Sequence, residues 1–164
     1  MKNNFILTIV KDKTDVELFW SIFNTYIDEL SINATLGDEF DLDYFYSPEY
    51  RDAIEKLRTR ENNPLRILFV CVEEVIVGFL MYVTYLDEGG KCLLMEYYIS
   101  SVYRGVGIGK SVYLKAEKLI AHEGGKFIEL TPTNDGNEIF WRSVGFVKSK
   151  DMDEDNKFYY RKVL

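Results

Sequence analysis

The chain has 164 residues, 47% hydrophobic and 15% aromatic, which is enough apolar material for one domain whose core needs neither disulfides nor a structural metal. Acidic residues outnumber basic ones 27 to 20, and the net charge of −7 repels phosphate backbones and argues against a nucleic-acid partner. No run approaches the roughly 18 apolar residues a membrane span requires, and Met1-Lys2-Asn3-Asn4-Phe5 carries no signal-peptide pattern, so a cytoplasmic protein without membrane association is expected.

Phe5 to Val10 reads as a first strand. Asp12 or Thr14 can cap a helix whose apolar positions Val16, Phe19, Trp20, Phe23, Ile27 and Leu30 recur at helical spacing. An acidic stretch follows, with Asp38, Glu39, Asp41 and Asp43 interleaved with Phe40, Tyr44, Phe45 and Tyr46. Ser47-Pro48 opens a second helix, with a cap and then a proline at its first position, and it stops near Asn62-Asn63-Pro64. Ile67 to Val72 is apolar on both faces, as a central strand is. Glu73-Glu74 and Asp87-Glu88-Gly89-Gly90 are short links to strands at Val75 to Tyr85 and Lys91 to Ile99, which predicts two antiparallel hairpins. Cys71 and Cys92 lie in these apolar runs without a CxxC partner or a neighbouring His, so they read as buried free thiols and not as metal ligands.

A glycine-rich loop spans Arg104 to Gly109, and a helix runs from Lys110 to about His122, where Gly124-Gly125 ends it. Lys126 to Leu130 is a strand, Asn137 to Val144 a short helix, and Phe146 to Ser149 and Phe158 to Val163 close the chain as strands. The order β-α-α-β-β-β-α-β-α-β-β contains one strand-helix-strand unit over 91–131. That unit predicts one parallel pair inside an otherwise antiparallel, mixed α/β sheet with helices on both faces. A single domain over 1–164 is expected, since only 3 Pro and 11 Gly are present and no linker or repeat stands out.

The chemistry concentrates in Tyr103-Arg104-Gly105-Val106-Gly107-Ile108-Gly109-Lys110-Ser111, between a strand and a helix. Glycines there allow a tight turn, and the helix start adds unpaired N–H donors and a favourable dipole, so the natural guest carries phosphate. A Walker A loop finds Gly109, Lys110 and Ser111, but Arg104 stands at its first glycine and no later strand ends in a magnesium-holding Asp. A dinucleotide fingerprint fails as well, with Lys110 or Ser111 where its last glycine belongs. The pattern R/Q-x-x-G-x-G/A is met in full by Arg104, Gly107 and Gly109.

On those residues the chain resembles the GCN5-related N-acetyltransferase (GNAT) superfamily. The approach Glu96-Tyr97-Tyr98-Ile99 is similar to that family's fourth strand, although Ser101 stands where proline is common. Asn134, Phe140, Trp141, Gly145 and Phe146 resemble its second coenzyme A-contacting motif, and the resemblance covers most of residues 66–164. It implies an acyl-CoA N-acyltransferase fold that uses acetyl-CoA as co-substrate, without metal, to acetylate a small-molecule or protein amine. A homodimer formed through late strands is compatible with it.

The resemblance further implies that the N–H groups of Val106, Gly107, Gly109 and Lys110, within the loop formed by Arg104, Gly105 and Ile108, cradle the pyrophosphate. Main-chain groups at Ile99 would pair with the pantetheine arm and polarise the thioester carbonyl. Asn134 either bonds the pantetheine or starts a helix beside Pro132 and Gly136. Glu96 interrupts the apolar run Cys92-Leu93-Leu94-Met95 and is the candidate base, or else an outward-facing strand residue. The tyrosine that often protonates the leaving thiolate is replaced here by Trp141, whose indole N–H is no acid at neutral pH, so Trp141 is assigned to packing against cofactor or core. Tyr98 or a nearby tyrosine is the substitute donor. The acidic and aromatic stretch at 38–46 would suit a cationic acceptor, or else is a solvated loop over an aromatic core. A catalytically degenerate acyl-CoA-binding module is the competing reading.

Overall fold

A computed structural model describes residues 4–33 and 42–164. Seven strands form one sheet: β1 (Ile6–Ile9), β2 (Arg66–Val72), β3 (Val75–Tyr85), β4 (Lys91–Ile99), β5 (Phe127–Leu130), β6 (Val147–Met152) and β7 (Phe158–Val163). Their spatial order is β1-β2-β3-β4-β5-β7-β6. All neighbours are antiparallel except β4 and β5, as the strand-helix-strand unit requires. Helices α1 (Lys13–Asn33), α2 (Leu42–Tyr46) and α3 (Pro48–Thr59) lie on one face, and α4 (Ile108–His122) and α5 (Asp135–Ser143) on the other.

Local chemistry fixes the helix starts. The Asp12 carboxylate accepts from the Asp15 N–H at 2.9 Å while Asp15 accepts from Lys11 at 3.0 Å, a reciprocal cap for α1. Ser47 Oγ accepts from the Tyr50 N–H at 3.2 Å, and Pro48 occupies the first turn of α3. Several boundaries differ from those the sequence suggests: α3 already ends at Thr59, and β6 runs on to Met152. Leu42–Tyr46 forms a short helix inside the acidic stretch. α4 begins two residues early, at Ile108, because Gly107 takes φ 86° and its carbonyl receives the Ser111 N–H at 3.2 Å. α5 begins at Asp135 because Asn134 caps it, accepting from the Asn137 N–H at 2.8 Å. No helix among the described residues is long and apolar enough to cross a membrane.

The sheet divides two cores. Phe19, Phe23, Tyr26 and Ile27 of α1 and Tyr50 and Ile54 of α3 pack on Phe69, Phe79, Met81 and Val83. Val112, Tyr113, Ala116 and Ile120 of α4 and Trp141 of α5 pack on Leu68, Leu80, Tyr82, Cys92 and Leu94. Cys92 is buried, whereas Cys71 is only partly so, because β2 has just the short β1 beyond it.

Strand β4 changes face once. Met81 pairs with Glu96 while Tyr82 pairs with Leu94, which leaves Met95 as an extra residue, a β-bulge. Before it, Cys92 and Leu94 face the α4/α5 core, and after it Tyr97 and Ile99 do. Glu96 and Tyr98 therefore turn toward α1. The parallel ladder with β5 lasts only for Lys91, Cys92 and Leu93 opposite Phe127, Ile128 and Glu129, and then the two strands part.

Gly78 allows β3 to lie close under the far end of β4, opposite Ile99. A methyl group at Gly78 would sit 2.1 Å from the Tyr98 carbonyl oxygen and 3.1 Å from Ile99 Cα. Gly78→Ala is expected to destabilise the protein by about 3 kcal/mol, through forced separation of two central strands. Equilibrium urea unfolding with an unchanged m-value checks this.

Candidate active site

The gap left by β4 and β5 is a cleft of about 700 Å³. One wall is Leu94 to Ile99, the other runs from Leu130 through Thr131, Thr133 and Asn134 to α5, and Arg104 to Lys110 close one end. Tyr26, Glu29 and Leu30 of α1 form the other end. The Ser100 N–H bonds to the Val77 carbonyl at 2.7 Å. In that antiparallel register Ile99 and Tyr97 turn their main-chain groups away from β3 and into the gap. The cleft thus offers an unfinished strand edge beside a loop of donors.

The loop has Gly105 at φ 80° and Gly107 at φ 86°, left-handed conformations in which a side chain is strained. No atom lies within 4 Å of where a Cβ on either would point, so the space over the loop is open to a ligand. Arg104, Gly105, Gly107, Gly109 and Lys110 line the cleft. The Ile108 side chain does not; it is buried in the α4 core and anchors the loop. Val106 is exposed. The first N–H groups of α4 have no partner within the helix and point outward at its start, a site suited to phosphate oxygens. Open glycines, a strand edge and a helix start together fit the elongated, diphosphate-bearing shape of coenzyme A.

Glu96 is partly buried, and its carboxylate accepts a hydrogen bond from the Tyr26 hydroxyl. Burial pushes its pKa up to about 7, against the opposing effect of that bond. Tyr26 itself is held well above the ordinary tyrosine value by burial and by Glu96. Tyr98 is buried, its ring 5.4 Å from that of Tyr26, and its phenol is also raised, by burial and then by Glu29. Arg104 donates from Nε to the Ile99 carbonyl at 2.7 Å and ion-pairs with Glu29.

The structure gathers Glu96, Tyr98, Ile99, Arg104, Gly105, Gly107, Gly109, Lys110, Asn134 and Trp141 around one cleft. Trp141 is largely internal: it is 4% exposed, its indole N–H donates to Asn137 Oδ1 at 3.1 Å, and its ring meets Tyr97, Tyr113, Phe140 and Phe146. Asn134 combines its two readings, since it caps α5 and also lines the cleft. Asp38, Glu39, Phe40 and Asp41 lie outside the described residues. Phe45 and Tyr44 pack on Tyr50, Tyr46 bonds to Asp28, and none of the three reaches the cleft lining.

Three contributors escape a reading of motifs alone. Tyr97 lines the cleft, stacks on Phe140 and donates to the Gly109 carbonyl at 2.5 Å. Tyr26 and Glu29 come from the first helix, where the available signal is a polar pair at i, i+3 beside the apolar Phe23, Ile27 and Leu30. No group of three or more His, Cys, Asp or Glu among the described residues is arranged to hold a metal ion.

Comparison with known proteins agrees with this geometry. The family model described as acetyltransferase (GNAT) family matches residues 24–146, so it begins within α1, well before the motifs of the second half. No curated protein matches significantly. Among solved structures, the chain is similar to the PaiA N-acetyltransferase of Thermoplasma acidophilum in complex with coenzyme A, with 18% identity, a TM-score of 0.72 and coverage of 98% of this chain and 99% of that one. A GNAT-family acetyltransferase of Staphylococcus aureus Mu50 gives 17% identity, a TM-score of 0.70 and coverage of 98% and 99%. Tetrahymena GCN5 gives 10%, 0.68, 96% and 95%. With the family model spanning well over half of its length, the chain belongs to the GNAT family of acetyl-CoA-dependent acyltransferases.

Proposed function

We propose that this chain transfers the acetyl group of acetyl-CoA to a primary amine by direct attack, with Glu96 as the base that frees the amine of its proton. The observation that carries the reading is the Glu96 carboxyl on the wall of the cleft, bonded to the Tyr26 hydroxyl and with no cation beside it among the described residues, where burial pushes its pKa up to about 7. A base with that pKa is mostly ionised just above neutrality yet binds a proton strongly enough to take one from an ammonium. Acetyl-CoA, when bound, supplies an acyl group already activated as a thioester. Gly107, Gly109 and Lys110 would hold its diphosphate with main-chain donors, and the edge at Tyr97 and Ile99 would align the arm. The Ile99 N–H, turned into the gap, is the donor that would meet negative charge developing on the acyl oxygen.

Tyr98 lies on the same side of β4 as Glu96 and is the proposed donor to the leaving sulfur. Its raised pKa suits a hydrogen-bond donor that stays protonated and makes it a weak acid. A second reading, a module that binds acyl-CoA without turnover, draws on Trp141, whose indole N–H is occupied by Asn137. Thiol release from acetyl-CoA across a panel of amines separates the two. Amine-dependent release supports the enzyme, and binding with no release supports the module.

Gly107→Ala, which places a strained side chain into the open space above the loop, should weaken coenzyme A binding at least about tenfold by calorimetry. The wild-type kcat/KM should rise with pH and level off above about 7, the value at which Glu96 loses its proton. Glu96→Gln should lower it by about 10²-fold or more and remove that inflection. Stability should move in the opposite direction. The folded state holds the Glu96 proton more tightly than the unfolded chain does, so this group's contribution falls as pH rises from about 4.5 to about 7. The loss approaches about 3 kcal/mol, and Glu96→Gln should recover part of it at pH 8 in denaturant titrations while changing little at pH 4.5.

A further inference from the structure

The R/Q-x-x-G-x-G/A pattern begins with a cation, and a cation beside a diphosphate invites the role of phosphate ligand. The Arg104 side chain is engaged elsewhere. Its Nε donates to the Ile99 carbonyl at 2.7 Å, its Nη1 pairs with the Glu29 carboxylate, and its guanidinium lies 5.6 Å from the centre of the Tyr98 ring. We infer that Glu29 is a positioning residue for the cofactor loop: through Arg104 it braces the loop's entry against β4 and α1, and Arg104 is a strut and not a phosphate ligand. The inference rests on the reading that this loop receives the diphosphate of coenzyme A.

The loop needs such a brace. The space into which a side chain on Gly105 or Gly107 would point is open, and the Val102 and Val106 side chains are exposed. Its exit is fixed by the buried Ile108 and by the bond from the Tyr97 hydroxyl to the Gly109 carbonyl. Its entry has the Arg104 contacts. One turn of α1 therefore serves both halves of the site: Tyr26 holds Glu96, and Glu29 holds Arg104. Charge follows the same logic. With Glu29 against it, Arg104 presents a neutralised pair to an incoming anion. The loop would grip with main-chain donors, and their convergence, set before binding, is what the ion pair protects.

Calorimetric titration of coenzyme A into the full chain tests this without any knowledge of the acceptor. Glu29→Ala is expected to weaken binding about fivefold, and Glu29→Gln, which can still accept from the guanidinium, less than that. Arg104→Ala should match Glu29→Ala, and the double variant should be no worse than the weaker single, because both remove one strut. The double variant, which removes the pair without changing the net charge, should also leave the salt dependence of affinity unchanged. Thermal unfolding of all variants within about 2 °C of wild type separates positioning from general damage. The inference fails if Glu29→Ala binds coenzyme A as tightly as wild type or more tightly. It fails equally if the double variant flattens the salt dependence, as loss of a direct phosphate contact would. A wild-type chain that binds no coenzyme A overturns the proposed function, and this inference with it.

Discussion

The site depends on a ladder that stops. Strands β4 and β5 run parallel for three residue pairs and then separate. A backbone whose partner has moved away must satisfy its polar groups by other means: the Ile99 carbonyl accepts from Arg104, and the rest of the edge at Tyr97 and Ile99 borders a cavity large enough for a ligand. The separation is held from both sides. The bulge at Met95 redirects β4, and beyond Leu130 the chain turns at Thr131 to Asn134 into the capped start of α5. Closing the gap would require unpacking one of the two cores.

Charge in the cleft is arranged with economy. Glu29 pairs with Arg104 and also faces the Tyr98 phenol, and Glu96 is bonded to the Tyr26 phenol instead of to a cation. A carboxylate left without a counter-ion in a partly buried place resists ionisation, and that resistance makes Glu96 a useful acceptor of protons near neutrality. Had Arg104 reached Glu96, the carboxylate would be strongly acidic and chemically idle. The Glu29–Arg104 pair thus also serves the base, by keeping a cation of the cleft occupied.

Much of this was legible in the sequence, and the reason is local. Arg104, Gly107 and Gly109 between a strand and a helix specify a loop whose physics depends on adjacent residues alone, and the strand-helix-strand unit fixes the parallel pair. Glu96 stood out as a charge within an apolar run. What escaped was long-range or unmarked. The Tyr26–Glu96 bond spans 70 residues of chain, and nothing in α1 announces which carboxylate or arginine its polar pair will meet. The bulge carries no glycine or proline to flag it. The early start of α4 and the helix at Leu42–Tyr46 reflect cap and packing geometry that periodicity does not resolve. Trp141 reads as a replaced proton donor in sequence and proves to be mostly core.

The extra residue at Met95 also constrains how this chain can change over generations. Downstream of it, neighbouring tyrosines serve opposite sides of the sheet: Tyr97 the α4/α5 side and Tyr98 the α1 side. Losing a single codon there would flatten the strand and exchange the two sides for every residue that follows, putting the carboxylate of position 96 into hydrocarbon and Ile99 under the first helix. Substitutions along β4 can therefore accumulate gradually, whereas a length change at this point admits no intermediate form that retains both the core and the site.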